Sequence, residues 1–183
     1  MKIADFFTTV RIILAPVFFI LFFLPTYIGF GKEASAFILF PLFVFMEFTD
    51  FLDGFFARKT KAVSDFGKLF DPFADVLANL TVLLVFVVSG YLSAFLYLII
   101  IYREMGISFV RLLAARSGTV IAARKGGKTK TVLYIVAAGF SLAIESAKRL
   151  GFDVGPFQET LGMINLGLYI LAVIMSVASF ADY

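Results

Sequence analysis

The chain has 183 residues, 61% of them hydrophobic with 25 Phe, a mean hydropathy of +0.99 and a net charge of +3. A soluble domain is nearer half apolar, and here the excess falls in runs long enough to span a bilayer, which predicts an all-α polytopic membrane protein. There is no Cys and no His. That excludes disulfides, thiolate nucleophiles, Cys zinc sites, Ser-His-Asp and Cys-His catalysis and any His phospho-intermediate, leaving acid–base chemistry mainly to Asp, Glu, Lys and Tyr.

Residues 1–9, MKIADFFTT, read as a short interfacial segment leading into the first span. Arg11 opens an apolar run to about Leu24, ended by Pro25, with a loop over 25–34. A cleaved signal peptide is the competing reading, but no small-x-small cleavage site follows the run. The second span runs from about Ser35 to Phe56 and carries Glu47, Asp50 and Asp53 in its last two turns. A basic linker over 58–68 leads to the third span, about Leu69 to Val88, with Asp71 and Asp75 in its first two turns. After the tight turn 89–93, the fourth span covers about 94–115 and contains Arg103, Glu104 and Arg111. A basic loop over 116–130 precedes a fifth span, 131–147, then a polar loop over 148–160 and a sixth span, 161–180. Six spans put both termini on one side. The N-terminal segment, the 58–68 linker and the 103–130 region hold 13 of the 16 Lys and Arg, so the termini and the aspartates are expected to face the cytoplasm. The whole of 1–183 reads as one membrane-embedded domain.

Asp50 and Asp53 are spaced i, i+3 and Asp71 and Asp75 i, i+4, so each pair lies on one helical face. A short linker makes the two helices antiparallel neighbours, so the four carboxylates can converge at one depth. Ionised side chains there cost on the order of 3 kcal/mol each on insertion scales, and crowded carboxylates repel unless cations sit among them. Oxygen-only ligands suit Mg²⁺, Mn²⁺ or Ca²⁺, and two such ions would clamp a diphosphate. Gly54 and Gly67 allow a ligand close to the backbone. The plainer reading is helix capping, with Asp71 as N-cap before Pro72; it accounts for one aspartate of four. A divalent-cation transporter would spread its carboxylates across the membrane depth, and these cluster at one boundary. A structural membrane anchor would not need such a constellation.

The pattern Asp50-x2-Asp53-Gly54-x2-Ala57-Arg58-x8-Gly67-x3-Asp71-x3-Asp75 resembles the motif of the CDP-alcohol phosphotransferases at every fixed position. Eight fixed residues fall within 26 positions, and the six-span length is similar across the chain. The resemblance implies that Asp50, Asp53, Asp71 and Asp75 hold two divalent metals, Mg²⁺ or Mn²⁺, that bind the CDP diphosphate. It also implies that Asp75 is the general base deprotonating the acceptor hydroxyl. Gly54, Ala57 and Gly67 would lie against the cytidine, with Arg58 near the site and Thr8 contributing from the first helix. A hydroxyl oxygen would attack the lipid-side phosphorus of a CDP-lipid and CMP would leave. Such a displacement needs positioning, charge neutralisation and one base.

The acceptor is read from the second basic set. Arg103 and Arg111 are eight apart, slightly over two turns, and share a face. Lys128 and Lys130 lie in the run Gly126-Gly127-Lys128-Thr129-Lys130-Thr131. A P-loop reading fails, since Ala122 stands where the first glycine is required and no strand precedes it. Arg116, Arg124 and Lys125 read as positive-inside anchors, and an Arg103–Glu104 pair can be purely structural. The Arg103-Glu104 pair, Arg111, the 127–131 run and Thr8-x2-Arg11 are similar to one branch of the family, the bacterial phosphatidylglycerophosphate synthases. That likeness implies CDP-diacylglycerol as donor and sn-glycerol 3-phosphate as acceptor, its phosphate held by Arg103, Arg111, Lys128 and Lys130. Val76 and Asp5 depart from the branch, where Lys and Asn are common. Inositol phosphate, serine or choline chemistry is the alternative within the family. The resemblance further implies a homodimer in the inner (cytoplasmic) membrane and no nucleic-acid partner. Ala172-x3-Ser176 offers a small-x3-small contact for self-association.

Overall fold

The structure is a computed structural model that describes residues 3–29, 31–60, 65–117 and 125–180, with side chains outside 3–5, 50–60, 65–69, 71, 115 and 125–128. The described residues form six α-helices and one 3-10 turn joined by short connections, with no strand among them. The helices are α1 (Ile3–Ile28), α2 (Lys32–Thr60), α3 (Asp65–Val88), α4 (Ala94–Arg116), α5 (Lys125–Arg149) and α6 (Gln158–Phe180), the last preceded by the 3-10 turn Gly155–Phe157. Among the described residues, three helical stretches are long and apolar enough to cross a membrane: Phe6–Ile28, Thr129–Arg149 and Gly155–Phe180. Pro72–Val88 is apolar but shorter.

Several boundaries differ from expectation. The interfacial segment and first span form one continuous helix, because nothing in residues 3–10 breaks it. Thr8, Arg11, Ala15, Phe18 and Phe22 then form one buried stripe at helical spacing. Pro25 does not end α1. Its missing N–H costs the helix only the bond to the Leu21 carbonyl, and the chain continues to Ile28. Gly29 and Gly31, at φ +67° and +82°, make the turn instead. The linker between α2 and α3 is likewise shorter than expected. α3 begins at Asp65, so Pro72 lies inside the helix and Asp71 is not its N-cap. The capping reading of Asp71 is therefore corrected.

The turn after α3 and the turn after α5 are built alike. At the first, Gly90 donates to the Val87 carbonyl at 3.1 Å and Tyr91 to that of Phe86 at 2.8 Å, with Gly90 at φ +80°. At the second, Gly151 donates to Lys148 at 3.1 Å and Phe152 to Ala147 at 3.0 Å, again around φ +80°. Both are Schellman stops, which satisfy the orphan carbonyls of a helix end.

The contacts divide the chain into two compact units, Met1–Val85 with Leu142–Val154, and Phe86–Ser141 with Gly155–Tyr183. In the first, α1 and α2 pack along each other with the Phe18 and Phe43 rings 6.3 Å apart. Near the turn of that hairpin Arg149 donates to Glu145 at 2.7 Å, to Ser35 at 2.7 Å and to the Phe22 carbonyl at 3.0 Å. Its guanidinium also lies 4.3 Å from the Phe22 ring centre, a cation–π contact. In the second unit α4 packs on α6, where a Cβ on Gly106 would meet the Phe180 ring at 3.6 Å. Ala172 and Ser176 are buried inside this unit, so the small-x3-small spacing serves contacts within the chain. The exterior is apolar, with Phe37 and Phe95 each 70% exposed, while buried stripes carry Arg, Glu, Lys, Ser and Asn. Apolar outside and polar within is what a hydrocarbon solvent selects.

Candidate active site

The aspartate motif lies wholly in the first unit. Asp50, Asp53, Gly54, Ala57 and Arg58 are on α2, and Gly67, Asp71 and Asp75 are on α3. Both helices are continuous through the motif, so the i, i+3 and i, i+4 spacings hold as helical spacings and each pair shares a face. The expected convergence of four carboxylates falls on the side chains of Asp50, Asp53 and Asp71, which lie outside the described residues, as do those of Gly54, Ala57, Arg58, Gly67 and Lys128.

Asp75 is described, and its surroundings give a partner to a residue that the sequence marked only by its place at the start of the first span and in the branch likeness. Arg11 forms an ion pair with Asp75 Oδ1. The Arg11 side chain is 6% exposed and that of Asp75 is 43% exposed. A buried cation thus holds one oxygen of a carboxylate that otherwise faces outward. Thr8, fully buried one turn earlier on α1, lies on the same stripe. The signal was present: a lone arginine within a long apolar helix needs a partner, and read as the start of a span it was not given one. Asn79 donates to the Asp75 carbonyl at 2.9 Å, on the next turn of α3.

The basic set of the second unit is organised around Glu104. Arg103, Glu104 and Lys130 are 6%, 4% and 8% exposed. Lys130 Nζ forms an ion pair with Glu104 Oε1. Arg103 Nη1 donates to the two Glu104 oxygens at 3.1 and 3.2 Å, its Nε to the Ser176 carbonyl at 3.0 Å, and its Nη2 to Ser179 at 2.6 Å. Tyr134 bonds Ser176 at 2.6 Å and reaches Glu104 at 3.3 Å. Helical spacing explains the convergence. Ile100, Arg103, Glu104 and Ile107 form the buried stripe of α4, Lys130, Tyr134, Ala137 and Ser141 that of α5, and Ala172, Ser176 and Ser179 that of α6. The structure brings Arg103 and Lys130 together through Glu104, and the charge of Arg111 acts on Lys130 as well. Three cations and one carboxylate leave a surplus of positive charge in a water-poor setting, and such a surplus favours an anion. Tyr134, Ser176 and Ser179 were not expected here; nothing in a buried hydroxyl's own sequence marks it before its neighbours are known.

The whole length bears a family likeness. Residues 1–181 match the family model described as CDP-alcohol phosphatidyltransferase. A CDP-diacylglycerol–glycerol-3-phosphate 3-phosphatidyltransferase of Treponema pallidum is 38% identical over 191 residues, covering all of this chain and 88% of the relative. A Bacillus subtilis protein of the same name is 33% identical over 182 residues, covering 96% of this chain and 90% of the relative. A probable phosphatidylglycerophosphate synthase of Mycobacterium tuberculosis is 29% identical over 182 residues, covering all of this chain and 79% of the relative. With the motif set on two continuous helices and the match running from end to end, the chain belongs to the CDP-alcohol phosphatidyltransferase family, and its activity is that of a transferase.

Proposed function

We propose that this protein transfers the phosphatidyl group of CDP-diacylglycerol to the hydroxyl of sn-glycerol 3-phosphate, releasing CMP and giving phosphatidylglycerophosphate. The observation that carries the reading is the motif Asp50 to Asp75 on α2 and α3, whose last carboxylate is held by the buried Arg11. The names of the relatives supply the donor and acceptor. The surplus positive charge around Lys130 and Arg111 suits a dianionic acceptor better than serine or choline.

The donor set fits hard divalent cations, since the motif offers only carboxylate oxygens and the chain has neither His nor Cys. Asp50, Asp53, Asp71 and Asp75 would hold two of them, Mg²⁺ or Mn²⁺. When bound, the cations would neutralise the diphosphate and steady the oxygens on either side of the reacting phosphorus. Asp75, oriented by Arg11 through Oδ1, takes the proton of the acceptor hydroxyl. The hydroxyl oxygen forms a bond to the lipid-side phosphorus, and the bond to the bridging oxygen breaks, its electron pair leaving with CMP. No histidine is present for a covalent intermediate. Arg111, Lys128 and Lys130 would bind the acceptor phosphate. Each nitrogen of Arg103 already has a partner within the helix cluster, so its contribution would be charge. Gly54, Ala57, Gly67 and Thr8 would line the nucleotide, with Arg58 beside it.

In this reading all six helices cross the cytoplasmic membrane as one domain of a homodimer, with the termini and the aspartates on the cytoplasmic side. The test is product analysis with purified protein, CDP-diacylglycerol and Mg²⁺ or Mn²⁺, offered glycerol 3-phosphate, inositol phosphate or serine in turn. Phosphatidylglycerophosphate and CMP are expected with glycerol 3-phosphate, and a chelator should abolish both. Product with another alcohol alone would overturn the acceptor and leave the family chemistry standing.

A further inference from the structure

Glu104 has no place among the residues assigned above to either substrate, yet Arg103 and Lys130, buried cations of the second unit, both meet at its carboxylate. Its Oε1 accepts from Lys130, from Arg103 at 3.1 Å and from Tyr134 at 3.3 Å. Among the described residues it is the acidic side chain of that cluster, and it is 4% exposed. We infer that Glu104 is a positioning residue for acceptor recognition: it fixes the Lys130 ammonium where the acceptor's phosphate binds, and so sets affinity for a phosphorylated alcohol without touching it. This rests on the acceptor reading proposed above and deepens it.

Two effects oppose each other when Glu104 loses its charge. Coulomb attraction alone would favour an anion more strongly once the competing carboxylate is gone. Against that, Lys130 carries a compact charge on a flexible four-carbon stem. Its ammonium is held among Glu104, the Tyr134 ring 5.3 Å away and the charges of Arg103 and Arg111. The two guanidiniums repel it, while the carboxylate attracts it in direct contact and the ring attracts it more weakly. Without the carboxylate only the ring holds the ammonium against two like charges, so a fixed site becomes a more mobile charge. Preorganised charge binds an anion better than charge that must be ordered on binding. Position therefore outweighs Coulomb gain, and binding weakens. Arg103 is anchored independently, by Ser176 and Ser179, so the effect falls on Lys130.

The experiment measures KM for both substrates, and the melting temperature in detergent, for Glu104→Gln, Lys130→Met and the double variant. Glu104→Gln keeps the side chain's size and removes its charge. The KM for glycerol 3-phosphate should rise about tenfold while that for CDP-diacylglycerol stays within about twofold. The double variant should match Lys130→Met alone, because Glu104 acts through Lys130. If Glu104→Gln does not fold, Glu104→Asp decides: keeping the charge but shortening the arm should give a smaller rise confined to the acceptor KM. An unchanged acceptor KM, equal rises in both KM values with a lowered melting temperature, or single effects that multiply in the double variant would each overturn the role. If the unaltered protein makes no glycerol 3-phosphate-dependent product, the acceptor reading itself has failed, and this role falls with it.

Discussion

Replacing Arg11 by Met separates orientation from stability at the reacting carboxylate. The Arg11 side chain is 6% exposed and its partner Asp75 is 43% exposed. Removing one member of a fully buried pair costs about 3–5 kcal/mol, because the other charge is left buried alone. Asp75 is not in that position, since nearly half its side chain reaches the surface and it can hydrate. Met fills a similar volume on a stripe of Thr8, Ala15, Phe18 and Phe22, and it relieves the desolvation of a guanidinium. Those two terms oppose the lost pair, so the net change in stability should be about 1 kcal/mol or less. The chemistry should suffer far more. A base displaced by about 1 Å loses roughly 100-fold in rate, so kcat for CMP release should fall by about that factor, with melting temperature nearly unchanged. Arg11→Lys keeps the charge but not the planar fork, and should recover part of the rate. The assay is steady-state CMP release beside thermal unfolding in detergent. Wild-type kcat in Arg11→Met, or a loss of activity that merely tracks a loss of stability, would refute the orienting role.

Two further outcomes test the fold. Arg149 joins Glu145, Ser35 and the Phe22 carbonyl, and its side chain is 8% exposed. Arg149→Met should cost about 2 kcal/mol, reduced from the sum of its bonds because Glu145 can turn to water. That corresponds to a fall of roughly 4–8 °C in Tm, with both KM values unchanged; an unchanged Tm would contradict the clamp. The chain has no cysteine, so Ser117→Cys after α4 and Phe152→Cys after α5 report topology cleanly. Both positions are exposed, and in intact cells an impermeant thiol reagent should label position 152 from outside and leave position 117 untouched. Labelling of both from one side would contradict six crossings.

The motif and the turns were legible in the sequence because each is a local pattern. The Asp50–Asp75 spacings survive as helical spacings on α2 and α3, and the uncharged turn at 89–93 forms where Gly90 adopts positive φ. Signals that depend on context were harder to read. Proline looks like a stop, yet Pro25 and Pro72 sit inside helices whose ends are set elsewhere. In an apolar solvent the rest of the helix has no competing partner for its backbone groups, and one lost bond does not end it. Ala172 and Ser176 have the spacing of a helix–helix seam, and only burial shows that the seam is internal. Asp75 lies 64 residues from Arg11 and Lys130 lies 26 from Glu104 in the chain, beyond any periodicity argument. Sequence showed that intramembrane charges needed partners and offered the adjacent Arg103–Glu104 pair; tertiary packing identified the distant ones.

The most direct measurement is CMP release by the unaltered protein and by Asp75→Asn, each with CDP-diacylglycerol and Mg²⁺, with and without glycerol 3-phosphate. Release that requires both the acceptor and the Asp75 carboxylate is the predicted result. Acceptor-dependent release that persists at the wild-type rate in Asp75→Asn would contradict a transfer whose base is the carboxylate held by Arg11.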